Sequence, residues 1–254
     1  MLIALTRPVS PSINSCELTH LTRAPIDLAL AQAQHESYER TLKDLGCQVQ
    51  RVQPAPELPD AVFVEDSAVV LDEIGIVTRP GAPSRRPETA LVAEALRPLR
   101  LLRQIEEPGT LDGGDVLRIK RTLYVGRSGR TNDDGIAQLE RFAAPFGYAV
   151  KPVETTGCLH LKTAVTEVGE GTLLLNPRWV DPALFADFKL IQCDPTEPFA
   201  ANALRIGDSV LHAAAWERTR ERLERAGIAV VPVEASELAK AEAGVTCCSV
   251  VFEA

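Results

Sequence analysis

Apolar residues recur at helical spacing in five stretches, Ile26 to Leu45, Pro87 to Leu99, Asn132 to Phe146, Pro182 to Asp187 and Glu217 to Arg225, the fourth of them short. Each leads into a strand-like run: Gln48 to Val52, Leu101 to Ile105, Tyr148 to Val153, Lys189 to Cys193 and Ile228 to Val233. The runs return at intervals of roughly 40–50 residues, the range of a repeated supersecondary unit. After each comes a polar loop, then a small-residue or acidic cluster, then two short β runs joined by a tight turn.

Four of these hairpins are read directly. Ser67 to Leu71 and Ile76 to Arg79 flank Asp72-Glu73-Ile74-Gly75, and Val116 to Ile119 and Thr122 to Val125 flank Lys120-Arg121. Thr163 to Val168 and Thr172 to Leu175 flank Gly169-Glu170-Gly171, while Ala203 to Ile206 and Ser209 to His212 flank Gly207-Asp208. Glycine there fits turns that need positive φ. The fifth hairpin would pair Ser249 to Phe252 with Leu2 to Leu5 and close a ring. The pattern predicts a cyclic α/β arrangement of five modules; an ordinary mixed open sheet satisfies the periodicity as well. The hairpins count against a fully parallel doubly wound fold, and neither G-x-G-x-x-G nor G-x-x-x-x-G-K-[ST] occurs, so nucleotide binding by those devices is not expected.

Composition narrows the function. The chain has 254 residues, 45% of them hydrophobic and 24% charged, enough for a packed core without disulfides or structural metals. Its 27 Lys and Arg against 35 Asp and Glu give a net charge of −8, which argues against non-specific nucleic-acid binding and suits a cationic substrate. No apolar run approaches a membrane span, and none near Met1 has the length of a signal-peptide core. The six cysteines are scattered without a C-x-x-C spacing, so free thiols and a cytoplasmic setting are expected.

Each module opens on a cluster able to carry chemistry. In order these are Phe63-Val64-Glu65-Asp66, Leu111-Asp112-Gly113-Gly114-Asp115, Leu159-His160-Leu161-Lys162, Ala200-Ala201-Asn202 and Val245-Thr246-Cys247-Cys248-Ser249. A lone cysteine or histidine is usually a packed residue; their shared position at module starts favours a common site. Glu65 and Asp66 lie between apolar runs, where two charges require a cationic partner. Asp112 is expected in the site, while Asp115 and the flexible Gly113-Gly114 turn are expected to be structural.

The combination of F-V-E-D, L-D-G-G-D-V-L, L-H-L-K and T-C-C-S-V resembles the dimethylarginine dimethylaminohydrolases, members of the guanidino-group-modifying superfamily. The likeness extends over nearly the whole chain, including Ile76 to Ala82, Ser84-Arg85-Arg86 and Gly129 to Asn132. It implies one catalytic domain over residues 1–254, a five-bladed α/β-propeller (pentein) of pseudo-fivefold ββαβ modules around a central active site. It also implies hydrolysis of methylated arginines to citrulline and an alkylamine, with no metal or organic cofactor. By the resemblance, Cys247 is the nucleophile and His160 the general acid and base. Asp66 and Asp112, with Glu65 beside them, hold the substrate guanidinium; Arg85 and Arg130 take its α-carboxylate; Asp60 holds its α-amino end. Cys248 is assigned to the core, on the face opposite Cys247. The loop Ser10 to Thr22 is expected to form part of a substrate lid, and a homodimer through blade edges is compatible with the likeness.

Two other readings are distinguishable. Arginine deiminases share this chemistry but usually carry F-x-R-D and H-L-D where this chain has Glu65 and Lys162. A non-catalytic zinc-binding domain would use Cys158, His160 and Cys247, although no second ligand pair has metal-finger spacing.

Overall fold

A hairpin followed by a helical crossover places a third strand parallel to the hairpin's second strand, since only parallel strands need a long connection. The computed structural model, which describes residues 1–254, repeats this unit five times. The chain runs β1 (Leu2–Thr6), α1 (Leu28–Asp44) and β2 (Gln48–Arg51), then β3 (Ala68–Val70), β4 (Ile74–Val77), α2 (Thr89–Leu96) and β5 (Leu101–Gln104). It continues with β6 (Val116–Ile119), β7 (Thr122–Arg127), α3 (Asp133–Ala143) and β8 (Ala149–Glu154). The short α4 (Leu161–Ala164) precedes β9 (Val165–Gly169), β10 (Thr172–Leu175) and β11 (Lys189–Gln192). Last come β12 (Ala203–Ile206), β13 (Ser209–Ala213), α5 (Glu217–Arg225), β14 (Ala229–Val233), α6 (Ser236–Ala239) and β15 (Val250–Glu253).

The five three-stranded sheets are β15-β1-β2, β3-β4-β5, β6-β7-β8, β9-β10-β11 and β12-β13-β14. The expected closure is present: Ile3 pairs with Phe252 and Leu5 with Val250, antiparallel. The cyclic arrangement wins over the open sheet because the first strand of every sheet lines one central cavity of about 240 Å³, through Val69, Leu117, Thr166, Leu204 and Val251. This is the five-bladed α/β-propeller of the sequence expectation. The apolar core is correspondingly divided into five clusters. One joins Ile3, Leu5 and Phe252 to Val92 and Leu96; another joins Leu174 and Ile191 to Val210 and Leu223. A fully buried side chain of this size contributes about 1.5–3 kcal/mol.

Several boundaries differ from the sequence reading. Ile74 and Gly75 belong to β4, with Gly75 opposite Val70 and the Leu71 N–H donating to the Ile74 carbonyl, and the turn contracts to Asp72-Glu73. Lys120, not a glycine, takes positive φ in the second hairpin, whereas Gly171 and Gly207 do so in the next two. The fourth crossover is a single 3-10 turn, Pro182–Phe185, capped by Asp181, which accepts from the Ala183 N–H at 2.9 Å. No helix is long and apolar enough to cross a membrane.

Candidate active site

The loaded clusters converge because each sits at the entry to an innermost strand. Glu65 and Asp66 occupy a 3-10 turn before β3, Asp112 precedes the turn Gly113–Asp115 before β6, and His160 precedes α4 and β9. Asn202 precedes β12, and Cys247 lies in the turn before β15. The two glycines are required by proximity, not by a left-handed turn. A Cβ on Gly113 would stand 1.9 Å from the Glu65 carbonyl oxygen, and one on Gly114 would stand 2.7 Å from His160 Nδ1 and 2.8 Å from Asp66 Oδ1. Asp115 is structural, as expected: its buried carboxylate accepts from the Leu161 N–H at 2.9 Å, Ser128 Oγ at 2.6 Å and Thr131 Oγ1 at 2.7 Å.

His160 is buried between two carboxylates. Its Nε2 lies 3.0 Å from Asp112 Oδ2 and its Nδ1 lies 3.8 Å from Asp66 Oδ1. Burial alone would lower the imidazole, but Asp66, the hydrogen bond to Asp112 and Asp115 raise it to about 9. Burial would raise Asp66; His160, Arg85 and the Gly114 N–H outweigh it and hold that carboxyl at about 2. Asp66 Oδ2 accepts from Arg85 Nη1 at 2.6 Å and its Oδ1 from the Gly114 N–H at 3.0 Å.

Cys247, His160, Asp66, Asp60, Arg85 and Arg130 face a small cavity of about 20 Å³ that Glu17 and Glu242 also line. Burial, with Glu65 and Asp66 adding to it, pushes the Cys247 thiol up to about 12; the Gly244 N–H, 3.3 Å from Sγ, opposes this. The resting pair is therefore a neutral thiol and an imidazolium. Asp60 Oδ2 accepts from the Glu17 N–H at 3.0 Å. Arg130 Nη2 donates to Thr19 Oγ1 at 3.2 Å, while its buried Nη1 has no hydrogen-bond partner. That Nη1 lies 4.0 Å from Asp112 Oδ2, beyond hydrogen-bond reach, and a buried cationic donor without a hydrogen bond beside a cavity is the feature an anionic ligand group would satisfy.

No family model matches the chain. It is 43% identical to the N(G),N(G)-dimethylarginine dimethylaminohydrolase of Streptomyces coelicolor, over 97% of this chain and 95% of that one. The chain belongs to the dimethylarginine dimethylaminohydrolase family. The dimethylarginine dimethylaminohydrolase of Pseudomonas aeruginosa is 34% identical over 96% of each chain. The solved structure of the Pseudomonas aeruginosa enzyme, a cysteine-to-serine mutant complexed with citrulline, superposes with a TM-score of 0.94 at 33% identity, covering 98% of both chains. The dimethylarginine dimethylaminohydrolase solved as a histidine-to-glycine adduct with S-methyl-L-thiocitrulline also gives 0.94, at 32% identity, covering 99% of this chain and all of that one.

Within this member of the dimethylarginine dimethylaminohydrolase family, three of the residues expected at the site have protein partners that the sequence did not reveal. The Glu65 and Asp66 carboxylates face different cavities. That of Glu65 turns to the central cavity on the other side of the ring, where Lys162 Nζ donates at 2.6 Å and Thr246 Oγ1 at 2.7 Å. Asp112 is fully buried behind the cavity, with Oδ1 taken by the Gly81 N–H at 2.9 Å and Oδ2 by His160, so it orients the imidazole. Arg85 reaches the cavity wall, but its fork is engaged by Glu88 at 2.9 and 3.2 Å, by Asp66, and by the Asp60 and Phe63 carbonyls. The cations that the two adjacent charges demanded are thus Lys162 and Arg85.

The zinc set does not assemble, because Cys158 Sγ turns to the His160 carbonyl at 3.4 Å. The donors that do gather within 4.8 Å are those of Asp66, Asp112 and His160; His160 is hydrogen-bonded to Asp112, and Asp66 accepts from the Gly114 N–H. Cys248 is buried in the core cluster with Tyr38, as expected, but through a turn and not strand alternation. Sequence reasoning missed Glu17, Glu88 and Glu242, and gave Lys162, though in a named cluster, no role. The spacing of Arg85 and Glu88, three apart, was the one readable signal among them.

Proposed function

We propose that this chain hydrolyses Nω-methylated arginines, asymmetric dimethylarginine and monomethylarginine, to citrulline and dimethylamine or methylamine, as one catalytic unit over residues 1–254. The observation that carries the reading is a buried His160 imidazole, held between Asp66 and Asp112 and facing the same cavity as the Cys247 thiol.

A guanidinium is a poor electrophile because its charge is spread over three nitrogens. In this reading Asp66 accepts its N–H bonds and fixes its carbon before the sulfur, a large orientational gain. The arriving cation offsets the carboxylates that hold the thiol neutral, so the Cys247 proton leaves to solvent as substrate binds. The thiolate attacks the guanidinium carbon. His160 then gives its proton to the departing alkylamine as the C–N bond breaks, leaving an S-alkylthiouronium on Cys247. The neutral imidazole takes a proton from water, whose oxygen bonds to the same carbon; collapse breaks the C–S bond and releases citrulline. Arg130 Nη1 takes the substrate α-carboxylate, the already engaged Arg85 adds its charge from the cavity wall, and Asp60 holds the α-amino group.

The test is incubation with asymmetric dimethylarginine, monomethylarginine and arginine, reading citrulline and the released amine. Turnover of the methylated substrates with little from arginine is expected. Preferential ammonia release from arginine overturns the reading in favour of a deiminase.

A further inference from the structure

Residues Glu17 to Leu21 have no regular structure and are mostly exposed, yet Glu17 lines the cavity and Thr19 bonds Arg130 at its edge. Two of their ties to the body use groups already proposed for substrate: the Glu17 N–H on Asp60 and Thr19 Oγ1 on Arg130. A bound amino-acid end would compete for both. One further tie, Ser84 Oγ to Glu17 Oε1 at 2.5 Å, lies on the exposed rim.

The remaining anchor is of a different kind. The Glu242 carboxylate accepts from three consecutive backbone N–H groups, those of Thr19 at 3.0 and 3.1 Å, His20 at 2.5 Å and Leu21 at 2.6 Å. Successive N–H groups turned to one point form an anion-binding nest. Glu242 makes no ion pair with any cation, so this nest is its whole complement of partners. Its backbone is also held at φ 62°, a region that favours glycine and strains other residues. A position whose backbone suits glycine therefore carries a side chain whose contacts go to that segment. Glu242 stands five residues before Cys247, and the Gly244 N–H between them donates to Cys247 Sγ at 3.3 Å.

We infer that Glu242 is a positioning residue whose carboxylate latches Glu17 to Leu21 over the site and keeps that segment in place when substrate takes Asp60 and Arg130. The inference deepens the hydrolase reading and rests on it for its kinetic part. Its physical part, the latch, does not. Release of the latch opens the cavity outward without altering the groups that touch the reacting carbon. The effect therefore falls on substrate binding and on access to Cys247.

The experiment compares the full chain with Glu242→Gln, Glu242→Asp, Glu234→Gln and His20→Pro. Glu234 lines the neighbouring cavity with Glu242 but makes no contact with the lid N–H groups, and proline at 20 removes one latch donor from the other side. The first readout is the rate of Cys247 alkylation by iodoacetamide, located by peptide mass with Cys247→Ser as the blank. The second is KM and kcat with asymmetric dimethylarginine. For Glu242→Gln and His20→Pro we expect alkylation at least fivefold faster and KM about tenfold higher, with kcat within about threefold. Glu242→Asp recovers most of both, and Glu234→Gln matches the parent. Unchanged alkylation and KM in both latch variants overturns the inference, as does a fall in kcat with KM constant. If the parent does not turn over methylarginines, the hydrolase reading fails, while the alkylation ratio still decides the latch. Should Glu242→Gln not fold, His20→Pro decides it from the lid side.

Discussion

His160 Nε2 and Asp112 Oδ2 lie 3.0 Å apart, and neither side chain is more than 5% exposed. The second carboxylate oxygen is fixed by the Gly81 N–H, so the imidazole is aimed as well as charged. Asp112→Asn keeps the shape but removes, after Asp66, one of the groups that raise His160. It should lower kcat roughly 10²–10⁴-fold, the range of a general acid–base contribution, and move the alkaline limb of the kcat/KM profile downward from about pH 9. An unmoved limb would show that the limb belongs to another group.

The adjacent cysteines should separate cleanly. Cys247→Ser is expected to abolish turnover, whereas Cys248→Ser, buried beside Tyr38, should keep kcat within a few-fold and lose about 1–3 kcal/mol of stability to an imperfectly bonded hydroxyl. Equal loss of activity in both would remove Cys247 from the role of nucleophile. Activity assays and denaturant unfolding on the same preparations read the two effects apart.

Arg85 ties Asp66 to Glu88 inside the protein, with both partners buried. Arg85→Ala removes the cation that Asp66 and Glu88 share, leaving Glu88 without its partner, and should cost about 3–5 kcal/mol, seen as a lowered denaturant midpoint. Arg85→Lys keeps a charge but cannot reproduce the bidentate contact with Glu88, and should fall between the two. A midpoint unchanged in Arg85→Ala would mean that the pair adds nothing to the folded state.

Stability should be greatest at mildly acidic pH and fall toward the alkaline side. His160 is raised from 6.5 to about 9 on folding, so its contribution is full below pH 6.5 and lost as pH rises through about 9. Burial raises Asp115 to about 6 and Glu88 to about 7, and their folded-state preference for the proton likewise disappears as pH rises past those values. Asp66 works in the opposite sense: its contribution is present above 3.8 and lost as pH falls through about 2. Denaturant midpoints from pH 3 to 10 should trace this dome, and His160→Gln should flatten the segment between 6.5 and 9.

The repeat was readable because alternation and turn chemistry act locally. Gly207-Asp208 between two short β runs specified β12 and β13, and the same alternation at Leu2 to Leu5 and Ser249 to Phe252 allowed the closing pair to be drawn. The four-residue helices α4 and α6 were not readable, being shorter than one hydrophobic period. Side-chain direction was the least readable part of the site. Glu65 and Asp66 are neighbours in a 3-10 turn, yet they face opposite sides of the ring, and the partner that decides this for Glu65, Lys162, lies 97 positions away. Gly113 and Gly114 suggested a turn, whereas the crowding that excludes a Cβ comes from Glu65, Asp66 and His160, on other blades. Glu242 carried no signal, because its partners are backbone N–H groups more than 220 residues distant.

The pairing of β1 with β15 also sets an order of assembly. The first blade cannot be completed until residue 250 has left the ribosome, and Cys247 lies three residues before that point. Blades β3 to β5 and β6 to β8 can pair from neighbouring segments as they emerge, whereas the most non-local pairing in the chain comes last and forms most slowly. A nascent or truncated chain lacking β15 would therefore hold its carboxylates and histidine on an open arc, with the Leu5 and Ile3 face unsealed. Reactive thiol chemistry would begin only once the ring had closed.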